Sequence, residues 1–178
     1  MIKRAIIFAG GKGKRLRPYT YIIPKPLMPI GEKPILELII NQLIKCGIKH
    51  ITITVMNNYN IFKSLLPKNK FKNVKINFLI ENKPMGTSGA LKIIKNLPEE
   101  FLAMNGDIIT DINFRKLYNF HKKKKSDLTM CVKTISSKIE YGAVEIDKKN
   151  LLKSFKEKPI IKTNINLGIY IMKKKLIK

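Results

Sequence analysis

The chain has 178 residues, 44% of them hydrophobic, with 36 lysines and arginines against 12 aspartates and glutamates, a formal charge of +24. The length allows one domain with a real core and the apolar content excludes a disordered chain, while no apolar run approaches the ~18 residues that span a bilayer. The charge suggests nucleic acid, yet the only arginines are Arg4, Arg15, Arg17 and Arg115, so the surplus is almost all lysine. Lysine, isoleucine and asparagine share A/T-rich codons and base-reading surfaces rely on arginine, so no nucleic acid is expected as the partner.

In chain order, Lys3–Phe8 reads as a strand. Pro34–Cys46 places apolar residues at helical spacing and stops at Gly47. Strands follow over 50–56 and Val74–Ile80, with a short helix Tyr59–Leu66 between them, ended by Pro67. Ser88–Lys95 is a helix, Phe101–Met104 a short buried strand, Asn113–Lys123 a helix and Asp127–Lys133 a strand. Asp111 is the expected helix cap or loop residue before the fourth helix, and Lys122–Lys125 its solvated end. This alternation predicts a three-layer α/β sandwich with a mostly parallel sheet. Gly142–Ile146, Leu151–Lys156 and Ile165–Met172 read as strands with little helix between them, an antiparallel addition. No repeat or linker divides 1–178, which reads as a single domain.

Cys46 and Cys131 stand far apart in apolar segments, the pattern of reduced core thiols. Without a disulfide framework, and with only Ala5–Ala9 apolar before the first glycines, the expected location is the cytoplasm and no membrane partner is expected. His50 reads as a strand-entry residue and His121 as a helix-surface residue.

In sheets of this kind ligands bind beyond the carboxyl ends of the strands. Three loops converge there: Gly10–Arg15, Glu81–Thr87 and Asn105–Asp107. The first, in FAGGKGKRLRPYT, fails both common phosphate templates. Phe8 stands where a P-loop needs its first glycine, and Leu16 where a dinucleotide fingerprint needs its third. Its physics survives, because close glycines let backbone N–H groups face phosphate oxygens and Arg15 offers a planar fork. In PKPLMPIGEKPIL, Pro24 and Pro26 fix the backbone around Lys25, a point charge for a phosphoryl group. Asp107, at a strand end beside Gly106, is a natural Mg²⁺ ligand.

GGKGKRLRPYT, PKPLMPIGEKPIL, ENKPMGTSGAL, NGDIITD, YGAVEID, EKP and NLGIYIM, in this order, resemble the sugar-1-phosphate nucleotidylyltransferases, or NDP-sugar pyrophosphorylases, over nearly the whole chain. The resemblance implies the Rossmann-like nucleotide-diphospho-sugar transferase fold. It implies transfer of a nucleotidyl group from an NTP to a sugar 1-phosphate, with Mg²⁺ as cofactor and pyrophosphate leaving. It implies that Ala9, Gly10, Gly11, Gly13 and Arg15 wrap the triphosphate, and that Glu81, Gly86 and Thr87 lie beside the base. Arg15, Lys25 and Asp107 become the catalytic set, with Asp107 on the metal. Gly142, Glu157, Lys158 and Asn166, together with Lys25, become the sugar-phosphate set. Glu81 with MGTSGAL looks most like guanylyl-transferring members such as mannose-1-phosphate guanylyltransferases. A glucose-1-phosphate thymidylyl- or uridylyltransferase, and a non-catalytic nucleotide-sugar-binding or regulatory subunit, stay open beside it. The family pattern also implies a domain that continues beyond Lys178, carrying a second metal ligand, and it admits a homo-oligomer.

Overall fold

The structure, a computed structural model, describes residues 2–56, 58–67, 70–83 and 86–177, and of Thr87 and Ser88 the backbone alone. Its residues fall into two compact units, Met1–Met130 with Gly168–Lys178, and Cys131–Leu167.

The first unit is built on strands that are apolar almost without interruption. In β1 (Arg4–Phe8) the side chains of Ala5, Ile6 and Ile7 are fully buried, as are Phe101–Met104 in β6 (Glu100–Asn105). Such runs belong to a parallel sheet covered on both faces. The sheet order is β5-β4-β1-β6-β10-β7, with β4 at His50–Val55, β5 at Lys75–Ile80, β7 at Leu128–Lys138 and β10 at Ile160–Lys173. β1 lies parallel to β4, pairing Ile6 with Thr52, and parallel to β6, pairing Ile6 with Ala103. β5 runs parallel to β4 and β10 antiparallel to β6, with Ile169 opposite Met104. The α/β class with a mostly parallel mixed sheet and a C-terminal antiparallel strand is therefore as the sequence predicts.

The helix α1 (Ile35–Lys45) buries Leu36, Ile39, Ile40 and Leu43, a stripe of helical period. Glu37 is buried on the same helix, and its carboxylate pairs with Lys70 Nζ at 2.7 Å. Two short strands, β2 (Pro29–Ile30) and β3 (Lys33–Pro34), form a small hairpin ahead of α1. The short helices α2 (Tyr59–Leu65) and α3 (Gly86–Lys92) follow β4 and β5.

The last helix, α4 (Phe114–Lys124), decides one expectation and corrects another. Of the two alternatives for Asp111, it is the loop residue, and the cap is Asn113: the Asn113 Oδ1 accepts from the backbone N–H of Arg115 at 3.1 Å and of Lys116 at 3.0 Å. His121 is not on the helix surface but buried, with Nδ1 2.7 Å from Thr129 Oγ1. His50 opens β4 and is exposed, as expected. Cys46 and Cys131 are free thiols but only half-buried, so neither is a core residue, and burial pushes the Cys131 thiol upward.

In the second unit β8 (Ala143–Ile146) pairs antiparallel with β9 (Leu152–Lys156), with an irregularity at Glu145/Ile146. Asp147 closes the turn, its Oδ1 accepting from the N–H of Lys149 at 2.8 Å and of Leu151 at 2.9 Å. β10 begins five residues before the predicted Ile165, at Ile160. Among the described residues no helix is long and apolar enough to cross a membrane.

Candidate active site at the carboxyl ends of the strands

β1, β4, β5 and β6 end on one side of the sheet, and the loops that follow β1, β5 and β6 each begin with a hydrogen bond to the end of a neighbouring strand. Ala9 N–H donates to Thr54 O at 2.8 Å, Glu81 N–H to Val55 O at 2.7 Å and Gly106 N–H to Phe8 O at 2.8 Å. The loops thus leave the sheet from fixed points. Together they line a crevice of about 500 Å³, whose walls include Gly10–Leu16, Lys25, Glu81, Gly86, Asn105 and Asp107. All three loops expected to converge do so.

The glycine loop is held by its own sequence. Gly13 has φ +57, and a Cβ there would stand 2.8 Å from Thr20 Cγ2. Thr20 Oγ1 donates to Gly13 O at 3.0 Å, which clasps the loop shut. Gly13 then opens a 3-10 turn, Lys14–Leu16, which carries Arg15 exposed at the crevice. Lys12 and Lys14 line the same wall, so four cations (Lys12, Lys14, Arg15 and Lys25) face two carboxylates, Glu81 and Asp107. This balance suits a polyphosphate.

Lys25 begins another 3-10 turn, Lys25–Leu27, in which Pro26 and Leu27 are buried. The buried proline anchors the turn. Lys25 Nζ reaches Asp107 Oδ2 at 2.6 Å, with the two side chains 33% and 29% exposed. Asp107 follows Gly106, whose missing side chain lets the β6 loop sit against β1: a Cβ there would be 3.1 Å from Phe8 O. Glu81 is 7% exposed and its Oε1 lies 3.2 Å from the Cβ position of Gly10. The carboxylate is therefore packed directly behind the glycine loop.

Among the described residues no three His, Cys, Asp or Glu side chains gather as a metal cage. The single partly exposed carboxylate of Asp107 does fit Mg²⁺, which keeps several waters and is commonly held by one or two carboxylates plus substrate phosphates. Calcium or zinc would demand a fuller donor set.

Gly86 opens α3 with φ +67 and lines the crevice. Thr87 follows in the first turn of α3, and its side chain lies outside the described residues. Of the sugar-phosphate set, Lys25 lies in the first unit and Gly142, Glu157, Lys158 and Asn166 in the second. A Cβ on Gly142 would lie 2.6 Å from the Phe155 ring and 3.3 Å from Glu157 Oε2, so Gly142 and Glu157 are brought together. Lys158 follows with φ 43, and Asn166 lies exposed in β10.

Met56 was absent from the sequence expectations, while Lys12, Lys14 and Asn105 lie inside the expected loops Gly10–Arg15 and Asn105–Asp107 without a role of their own. Met56 stands just past the carboxyl end of β4, and the rule that selected the other loops applied equally to it.

A second titratable group gathers where β6 begins. Burial raises the pKa of Glu100, but hydrogen bonds from Tyr118 Oη at 2.9 Å and Lys122 Nζ at 3.1 Å outweigh it and hold the carboxyl below its usual range. Burial lowers the His121 pKa, opposed by Glu100 and Asp127 and assisted by Lys173 and Lys122.

The nucleotidyl transferase family model matches residues 4–178. The D-glycero-alpha-D-manno-heptose 1-phosphate guanylyltransferase of Campylobacter jejuni is 39% identical over 173 residues, 96% of this chain and 76% of that protein. The mannose-1-phosphate guanyltransferase of Aspergillus oryzae is 36% identical over 179 residues, 95% of this chain and 49% of that protein, so the chain spans about half the length of this relative. Among solved structures, HddC from Yersinia pseudotuberculosis, crystallised with GMP-PN, superposes with a TM-score of 0.73 at 30% identity, covering 99% of this chain and 79% of that one. A Bacillus anthracis protein described as a glucose-1-phosphate thymidylyltransferase shares the fold at a TM-score of 0.70 and 23% identity. With the family model spanning nearly the full length and the glycine loop, Lys25 and Asp107 meeting in one crevice, the chain belongs to the nucleotidyl transferase family.

Proposed function

We propose that the chain transfers a guanylyl group from GTP to a sugar 1-phosphate, with mannose 1-phosphate or a related hexose or heptose 1-phosphate as acceptor and pyrophosphate as leaving group. The observation that carries the choice of nucleotide is the Glu81 carboxylate, set in the crevice wall behind Gly10. An ionised carboxylate only accepts hydrogen bonds. Guanine presents two adjacent donors, N1–H and the N2 amino group, on one edge. Uracil and thymine present a single N–H between two carbonyl oxygens, which a carboxylate repels. The relatives named guanylyltransferases point the same way.

The reaction is an in-line attack of a sugar-phosphate oxygen on the α-phosphorus. A P–O bond to the sugar phosphate forms as the P–O bond to pyrophosphate breaks. No protein nucleophile is required, so the chain's work is positioning and charge neutralisation. The glycine-loop amides and Arg15 receive the triphosphate, and Arg15 stabilises the charge that builds on the leaving pyrophosphate. Lys25 offsets the negative charge at the α-phosphorus and on the attacking phosphate. Asp107 is the residue that would hold Mg²⁺, which when bound would supply Lewis-acid charge to the reacting phosphates. Gly142, Glu157, Lys158 and Asn166 hold the sugar and its phosphate.

The test is a melting curve with GTP, dTTP, UTP, CTP or ATP, each with Mg²⁺, followed by pyrophosphate release from GTP on addition of mannose 1-phosphate. A ligand at ~100 times its Kd adds about 2.7 kcal/mol, which for a chain of this size is a rise of roughly 5–10 °C. GTP is expected to give the largest rise. A larger rise with dTTP or UTP moves the specificity to a pyrimidine, and no rise with any nucleotide overturns the proposal.

A further inference from the structure

Lys25 and Asp107 carry separate duties in the reaction above, one toward phosphate and one toward metal, yet they occupy each other. The ammonium stands 2.6 Å from Asp107 Oδ2. We propose that Lys25 is a resident stand-in for the divalent cation: a metal ion arriving at Asp107 displaces the ammonium, and the displaced ammonium is then available to the reacting phosphates. The inference rests on the proposed function only in placing the metal at Asp107.

Three features of the crevice support the exchange. Both backbones are anchored, so only the side chains can separate. Gly106 is pinned to Phe8 O by a 2.8 Å hydrogen bond, and Lys25 is flanked by Pro24 and by the buried Pro26. A Mg²⁺ ion at about 2.0–2.1 Å from a carboxylate oxygen needs the approach that the ammonium now fills, and two cations so close repel strongly. Finally, the only other carboxylate among the described lining residues is Glu81, packed behind Gly10, while Lys12, Lys14 and Arg15 are cations. A released Lys25 thus meets an anion only when phosphate enters. Metal loading and phosphate capture become coupled through one side chain, and such coupling is reciprocal. The four-carbon stem and rotating ammonium of lysine suit this shuttling, where the planar fork of arginine would not.

Mn²⁺ binding, followed by electron paramagnetic resonance without nucleotide, tests the exchange on the wild type, Lys25→Gln and Lys12→Gln. Removing the stand-in is expected to tighten Mn²⁺ binding roughly fivefold, the equilibrium weight of a partly exposed ion pair. Lys12→Gln, with the same charge change but no pairing to Asp107, is expected to shift it less than about twofold through screened solvent. In the wild type, Mg²⁺ alone should speed acylation of Lys25, read by peptide mass spectrometry, and leave Lys12 and Lys14 unaffected. Mn²⁺ that binds Lys25→Gln no better than the wild type, binding to neither included, overturns the exchange. So does an equal gain in Lys12→Gln, or a Lys25 acylation rate indifferent to Mg²⁺. The melting rise with GTP, recorded on the same samples, separates the two ideas: its presence alongside a failed Mn²⁺ result removes the exchange alone, and its absence removes the nucleotide reading.

Discussion

Gly13→Ala is a small change with two separable costs. The first is conformational: at φ +57 an L-residue carries about 1–2 kcal/mol of strain that glycine does not. The second is steric: the new Cβ would stand 2.8 Å from Thr20 Cγ2, and an overpacked contact of this kind costs about 1–3 kcal/mol. If Thr20 rotates away instead, its hydrogen bond to Gly13 O, now 3.0 Å, is lost at about 1 kcal/mol. Together these give roughly 3 kcal/mol, a fall in melting temperature of about 6–12 °C for a chain of this size. The two parts can be separated by Thr20→Ser, which removes the obstructing methyl and keeps the hydroxyl. In the Gly13→Ala background that change should recover about half of the loss and leave the backbone strain. Calorimetry and GTP titration on the four proteins measure it. A Gly13→Ala chain that melts with the wild type and binds GTP equally well would refute the clasped, left-handed loop, and a Thr20→Ser change that restores nothing would refute the steric part.

Asp107→Ala should lower kcat by at least about 100-fold if the carboxylate holds the metal. The melting temperature should change little, because a partly exposed ion pair contributes only about 0–1 kcal/mol; undiminished turnover removes Asp107 from the chemistry. Glu81→Gln should cut the preference for GTP over UTP by about tenfold or more, the weight of a charge-assisted hydrogen bond, and an unchanged ratio of kcat/KM values detaches Glu81 from the base. For His121 the folded pKa lies below the unfolded value of 6.5. The unfolded chain therefore binds the proton more readily, and stability present above pH 6.5 is lost as the pH falls through the lower folded value. The melting temperature of the wild type should fall more steeply below pH 6.5 than that of His121→Gln, and parallel curves would show that His121 does not titrate on unfolding. Glu100 also titrates with its folded pKa below the ordinary glutamate value of 4.5, so its contribution disappears in a separate, more acid window.

The strands of the sheet were legible because a sheet buried on both faces writes itself as unbroken apolar runs, as in Ala5–Phe8 and Phe101–Met104. The crevice was legible because ligand loops follow the carboxyl ends of such strands. The cap of α4 was not: Asp111 and Asn113 are both good capping residues two positions apart, and local propensity cannot rank them. What separates them is the burial of Phe114, which fixes where the helix starts. His121 hid behind its lysine neighbours, although Phe114 and Leu117 stand seven and four residues before it on the same helical stripe. That period was a usable signal for burial. The pairing of Lys25 with Asp107 joins residues far apart in sequence, and no local pattern encodes a contact made by tertiary packing.

The placing of β10 has a consequence for how the chain is made. β10 lies between β6 and β7, although β7 precedes it in sequence. During synthesis from the N-terminus, β5, β4, β1 and β6 can all pair once Asn105 has left the ribosome, and every residue named on the crevice wall up to Asp107 is then close to available. The outer edge of β6, however, waits for Ile169–Lys173, the last part of β10. At about 5–20 residues per second that edge stays open for seconds, its N–H and C=O groups facing a slot rather than a partner. β7 is made first but has no place in the sheet until β10 arrives. The nascent chain therefore holds a nearly finished crevice beside an unfilled strand position, and a ligand bound there early would stabilise the half that is already built while the slot is still open.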